Sequence, residues 1–255
     1  MKKPTLIFLL STVFSTLAAA QFRPGIVTDS KFSLMGGNTT QIPAPIDKVF
    51  IPQGFDSNDN AEIIVSGTFP NSCYKMGHAT KTFNKEEQKV YVNISAFYTD
   101  SENCLTIIIP YTQSVQLGTL EAGKYPVIVN SVIEKEIPIE AEDADEPEDR
   151  TDDFLYASVY GLIQKKPGIF EVQGVFPDSC YEIKEVEVIK ESDDILVVLP
   201  KMSRKDSCTG HESKPIAWNR TFKIPEDMHG KVLIHVRTLN GGSINQVIDL
   251  PKKAE

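Results

Sequence analysis

Along most of this chain apolar and polar residues alternate with a period of two, the spacing of a strand with one face buried and the other in water. Ile63–Phe69 and Phe170–Phe176 put apolar residues on one face at that period and leave the other face mixed. Val90–Phe97, Leu105–Ile109, Val115–Leu120 and Tyr125–Asn130 predict further strands in the first half of the chain. Val186–Ile189, Ile195–Leu199, Trp218–Ile224 and Val232–Arg237 do so in the second half. Asn240-Gly241-Gly242 predicts a hairpin turn into Ile244–Leu250, because Asn-Gly tolerates the positive φ such turns require. No segment holds a 3.6-residue period with caps for three turns, so no helix is predicted.

The pattern occurs twice. Gly-Thr-Phe-Pro-Asn-Ser-Cys-Tyr at 67–74 and Gly-Val-Phe-Pro-Asp-Ser-Cys-Tyr at 174–181 agree at six of eight positions, at an offset of 107 residues from Cys73 to Cys180. The register continues through Ile63, Val65 and Phe69 against Phe170, Val172 and Phe176. Further on, Tyr111, Val115 and Leu117 match Trp218, Phe222 and Ile224. Gly123, Tyr125, Val127 and Val129 match Gly230, Val232, Ile234 and Val236. Two copies of one unit follow, each with several short strands and frequent turns. The expected fold class is all-β: two tandem antiparallel β-sandwich, immunoglobulin-like domains, each with one internal disulfide.

The ends and the joint between copies differ in composition. Residues 1–20 read as a cleaved signal peptide: Lys2 and Lys3, an apolar run from Leu6 to Ala18, and small residues before Gln21. No cysteine follows the run and no later stretch is long enough to span a membrane. The expected location is therefore periplasmic or extracellular. Residues 21–40 form an extended lead-in, 41–139 the first sandwich, 140–153 an acidic linker and 154–255 the second sandwich. The linker carries nine acidic residues and one Arg, so it accounts for −8 of the chain's net charge of −9. The expectation is a disordered tether that holds two modules apart. The acidic balance argues against a partner bound through phosphates, so no nucleic acid is expected.

Four cysteines in an exported chain read as disulfides, and no Cys-x-x-Cys spacing suggests zinc or redox chemistry. Of three pairings, only Cys73–Cys104 with Cys180–Cys208 keeps each bridge inside its copy and treats both copies alike. Phe-Pro-Asn/Asp-Ser-Cys-Tyr has two readings. It is a turn after a strand, with Pro presetting φ and Asx and Ser bonding the local backbone. Alternatively it is a binding loop presenting Asn71, Tyr74, Asp178 and Tyr181. His78, His211, His229 and His235 form no ligand pair at motif spacing and none is shared between copies, so no metal or cofactor is expected. Asp56–Asn60 opens like a calcium loop, but Ala61 and Gly67 stand where such a loop needs Gly and Glu, so a polar hairpin loop is expected. Trp218 reads as core or sheet-edge packing, and no Ser/His/Asp motif is visible.

Leu117-Gly-Thr-Leu-Glu-Ala-Gly-Lys-Tyr-Pro-Val-Ile-Val-Asn130 resembles the closing strands of immunoglobulin-like domains in bacterial exported proteins. Copy two keeps Gly230, Val232, Ile234 and Val236 and lacks the Tyr and Asn. The resemblance implies a sandwich serving adhesion, scaffolding or recognition, and carries no catalytic residue. Antibody-type domains fit poorly, since the cysteines are only 31 and 28 residues apart and no Trp lies between them at the expected place. The expected function is a non-enzymatic binding or structural protein, monomeric or weakly oligomeric, with a protein or cell-surface glycan partner. The alternatives are a secreted hydrolase with a dispersed site between the modules, or a protease-inhibitor-like protein.

Overall fold

The computed structural model describes residues 38–101, 103–141, 156–205, 208 and 214–251. The expected signal peptide, most of the expected lead-in and residues 142–153 of the acidic linker lie outside them. Sixteen strands hold about two thirds of the described residues. The first copy contains β1 (Thr39–Pro43), β2 (Lys48–Phe50), β3 (Phe55–Asp56), β4 (Ala61–Phe69), β5 (Tyr74–Asn84), β6 (Lys89–Thr99), β7 (Ile109–Gly118), β8 (Gly123–Val129) and β9 (Ile133–Glu140). The second contains β10 (Val159–Lys166), β11 (Ile169–Phe176), β12 (Tyr181–Lys190), β13 (Ile195–Arg204), β14 (Ile216–Lys223), β15 (Gly230–Thr238) and β16 (Gly242–Leu250).

Each copy is a two-sheet sandwich with one topology. The first pairs β2-β4-β7 in one sheet and β5-β6-β8-β9 in the other, with β1 and β3 added. The second pairs β10-β11-β14 and β12-β13-β15-β16. The sheets are mixed rather than purely antiparallel as expected: β6–β8 and β13–β15 run parallel. The cause is the connection, since β7 and β14 lie in the opposite sheet and return the chain to the side it left. The resemblance to immunoglobulin-like domains thus holds at the level of the sandwich. Its closing pattern has a local explanation. Tyr125 Oη donates to the Glu121 carbonyl at 2.8 Å, a tyrosine corner. Asn130, at φ 48°, accepts from Ile94 N and donates to the carbonyls of Ile94 and Ala44, sealing the point where β1 takes over from β8 along β6. In the second copy Thr238 does this work, accepting from Val159 N and donating to the Ala157 carbonyl.

The same glycine is needed in both copies. A Cβ on Gly67 would come within 2.1 Å of the Pro45 carbonyl and 2.4 Å of the Tyr111 hydroxyl. One on Gly174 would meet the Ser158 carbonyl at 2.1 Å and the Trp218 ring at 2.3 Å. The aromatic ring crosses the glycine and stacks on the next phenylalanine, Tyr111 on Phe69 and Trp218 on Phe176. Trp218 is therefore core.

The sandwiches are not held apart. They belong to one compact unit, and the inner sheet of each packs on the inner sheet of the other. Phe50 and Ile64 of β2 and β4 meet Ile195 and Val197 of β13 and Leu233 of β15. Four sheets result, with three buried layers between them. This explains why β4, β13 and β15 carry apolar residues on both faces. Two further expectations change. Leu105–Ile108 is loop, the strand beginning only at Ile109, and β5 and β9 are strands that alternation alone does not reveal.

Candidate functional site

The Phe-Pro-Asn/Asp-Ser-Cys-Tyr segments are turns. Asn71 Oδ1 accepts from Cys73 N at 2.9 Å and Asp178 Oδ1 from Cys180 N at 2.7 Å, the Asx closure expected of these residues. Tyr74 stacks on Phe69 and lies tilted against Tyr98, and Tyr181 packs on the second core. Disulfides join Cys73 to Cys104 and Cys180 to Cys208. In the first copy the bridge pins a loop that points outward. Ser72 Oγ accepts from Leu105 N at 2.8 Å while Ser72 N donates to the Leu105 carbonyl at 3.1 Å. Ile107 N donates back to that carbonyl at 2.8 Å. Leu105 and Ile108 are nevertheless 63% and 76% exposed.

Between the sandwiches two buried titratable groups come together. Glu62 of β4 is 2% exposed and His235 of β15 is 1% exposed. Glu62 Oε1 accepts from Ser243 Oγ and from Asn245 Nδ2, and Oε2 accepts from Gln116 Nε2 at 2.7 Å. Asn245 also donates to Ser114 Oγ at 3.0 Å, and its Oδ1 lies 2.8 Å from His235 Nδ1. Since the Asn245 amide nitrogen is donating, its oxygen accepts, so His235 Nδ1 carries a proton. Its Nε2 is buried without a partner. Burial pushes the imidazole down to about 4, against the Asn245 hydrogen bond that favours the charged form, with the Arg237 charge adding to the depression. The neighbouring recess, lined in part by Phe55, Asp59, Glu62, His235 and Arg237, has a volume of about 20 Å³, room for one water.

The rim of this interface is polar. Lys48 pairs with Asp194 at 2.8 Å and Lys231 with Asp47 at 2.6 Å. Arg237 donates to the carbonyls of Gln53 and Gly54 and lies over Phe55, and Gln53 N donates to Glu191 Oε2 at 3.0 Å. An apolar centre with a polar rim is the anatomy of a stable protein interface. Sequence reasoning missed it. The available signal was a polar residue inside an otherwise unbroken apolar run, Glu62 before Ile63-Ile64-Val65 and His235 after Val232-Leu233-Ile234.

The other noted residues have local roles. Asp56 Oδ1 accepts from Asn58 N and Asp59 N in a closed hairpin turn, and His229 Nδ1 lies 3.2 Å from the Pro251 carbonyl. His78 stands on β5 and is described below; His211 lies outside the described residues. No group of metal-ligating side chains occurs among the described residues. No helix among them is long and apolar enough to cross a membrane.

The family model of the ORF11 beta-sandwich domain matches residues 63–139, the first copy from β4 to the end of β9. No curated protein and no solved structure matches the chain.

Proposed function

We propose that this chain is an exported, non-enzymatic binding or structural protein of the cell envelope or its surroundings, in which two β-sandwiches act as one rigid scaffold. The observation that carries the reading is the Leu105–Ile108 loop. It exposes large apolar side chains, yet the Cys73–Cys104 bridge and the paired Ser72–Leu105 hydrogen bonds hold it in one shape. A contact surface ordered before binding loses less entropy on association. The disulfides suit an oxidising compartment. The placement of Glu62 and His235, buried beside a recess the size of one water, supports a scaffolding role for them over a catalytic one.

The test is retention of a partner from envelope extract on the immobilised protein beginning at Gln21, beside an Ile108→Ser variant. The reading predicts a partner held by the first and released by the second. Equal retention, or turnover in a substrate screen that one polar substitution abolishes, would overturn it. A second reading, a protease-inhibitor-like protein, draws on the same disulfide-pinned loop; inhibition that follows the residue at position 105 would favour it.

A further inference from the structure

On the flank of the first sandwich two free sheet edges face each other. Among the described residues β5 pairs only with β6, and β7 only with β4. Between them lies a cleft of about 400 Å³ whose lining includes Gly77, His78, Lys81, Gln113, Ser114 and Gln116. That volume is in the range of small-ligand sites, about 300–1,000 Å³.

Two local devices shape the cleft. The β5–β6 ladder shifts register between Met76 and Ala79. Ser95 clamps this bulge: its Oγ accepts from His78 N at 2.9 Å and donates to the His78 carbonyl at 3.0 Å. Gly77 lies so close that a Cβ there would stand 2.5 Å from Ser95 Oγ. A bulge re-aims the side chain it carries, here His78, whose ring meets Phe97 edge-on at 6.0 Å. The second device is the reach of Lys81 across to β7. Its Nζ lies 3.3 Å from where a Cβ on Gly118 would stand, and Gly118, at φ +88°, has none. No ion pair or hydrogen bond joins the Lys81 ammonium or the His78 ring to another described residue.

Lys81 and His78 are both exposed beside the cleft, and an unpaired cation there attracts an anion. Of the remaining lining only Ala79 and Val115 are apolar, so it offers no pockets for the side chains of a peptide; Gln116 is held by Glu62 and Ser114 by Asn245, which leaves the Gln113 side-chain oxygen as the open amide group. Strand addition along β5 is further opposed by the bulge, which breaks the row of edge hydrogen-bonding groups. The groups left open, the Lys81 ammonium, the His78 ring and the Gln113 side-chain oxygen, suit a polyhydroxylated anion. We propose that the β5–β7 cleft binds a saccharide bearing a carboxylate or sulfate group, with Lys81 contacting the anion and His78 and Gln113 bonding its hydroxyls. This deepens the binding reading above and rests on it.

The experiment is calorimetric titration of the protein beginning at Gln21 with trigalacturonate, a sulfated heparin disaccharide and neutral maltotriose. Binding of at least one anionic probe, with none of maltotriose, is expected; which anionic probe binds distinguishes carboxylate from sulfate. Lys81→Gln should weaken that binding at least tenfold. Lys135→Gln, an equal loss of charge on an exposed strand away from the cleft lining, should leave it unchanged, and both variants should keep the parent melting temperature. Binding of neither anionic probe, equal binding of maltotriose, or an unchanged affinity in Lys81→Gln would overturn the proposal. Loss of an envelope partner in Ile108→Ser would still stand in that event, so failure of the cleft is distinguishable from failure of the binding reading.

Discussion

Glu62 of the first sandwich and His235 of the second lie 3.6 Å apart, Oε1 to Nδ1, at the centre of a polar cluster in the buried contact between the copies. Neither residue has a counterpart of its type at the matching place in the other copy. They belong to the contact and not to the repeated framework, and the contact is asymmetric for that reason.

His235 gives this contact a pH dependence with a definite sign. Folded, it titrates at about 4 because it is buried; unfolded, at its ordinary value of about 6.5. Between these values the unfolded chain binds a proton that the folded chain does not, so stability present above pH 6.5 is lost as the pH falls toward 4. The full effect is about 3 kcal/mol. Asp47, held below the usual carboxylate range chiefly by its hydrogen bond from Lys231, weakens the rim only at still lower pH. Urea denaturation at a series of pH values should show the loss, and His235→Gln should flatten it across this window by one proton's worth of slope.

The apolar centre should matter as much as a domain core. Leu233 and Ile64 are fully buried between the inner sheets. Leu233→Ala should cost about 2–5 kcal/mol by equilibrium denaturation, like other large-to-small core changes. Were Leu233 on a solvent-facing sheet of a separate module, the same change would be nearly neutral.

Gly67→Ala and Gly174→Ala should each destabilise by about 1–3 kcal/mol or more, since a methyl would strike a backbone carbonyl and an aromatic ring. Gly168→Ala is the contrast. Its added Cβ meets nothing within 4 Å, so only the strain of φ +70° acts there. Thermal melts of the three variants check the order.

Much of this fold was legible because strand alternation and the repeat carry the same information twice. Cys73 and Cys180 fixed the register, and Tyr111 and Trp218 matched because both must cover a glycine. The pairing of the sheets was not legible, since parallel β6–β8 and β13–β15 contacts arise from connections that no local pattern records. The docking was written in the continuous runs Ile63-Ile64-Val65, Ile195–Leu199 and Val232-Leu233-Ile234. Read as one-faced strands beside an acidic linker, they suggested separated modules; a strand buried on both faces has that very signature. The β5–β7 cleft was invisible because His78, Lys81 and Gln113 come from strands distant in sequence, and because the bulge depends on Ser95 from a third.

The disulfides should contribute through the unfolded state. They close loops of 31 and 28 residues, for which the chain-entropy model gives about 3.5 kcal/mol each. Reduction, or a Cys73→Ala/Cys104→Ala double variant, should lower the denaturation midpoint accordingly. Non-reducing peptide mapping should recover Cys73 with Cys104 and Cys180 with Cys208.

The central claim is that the two sandwiches dock as one body, and small-angle scattering of the protein beginning at Gln21 tests it most directly. The docked structure predicts a radius of gyration near the roughly 18 Å of a compact body of this size. It also predicts no change in that radius between about 0.01 and 1 M salt, over which the Debye length falls from about 30 to about 3 Å. A radius well above this value that contracts as salt rises would mean that the acidic linker holds the sandwiches apart, and would contradict the account.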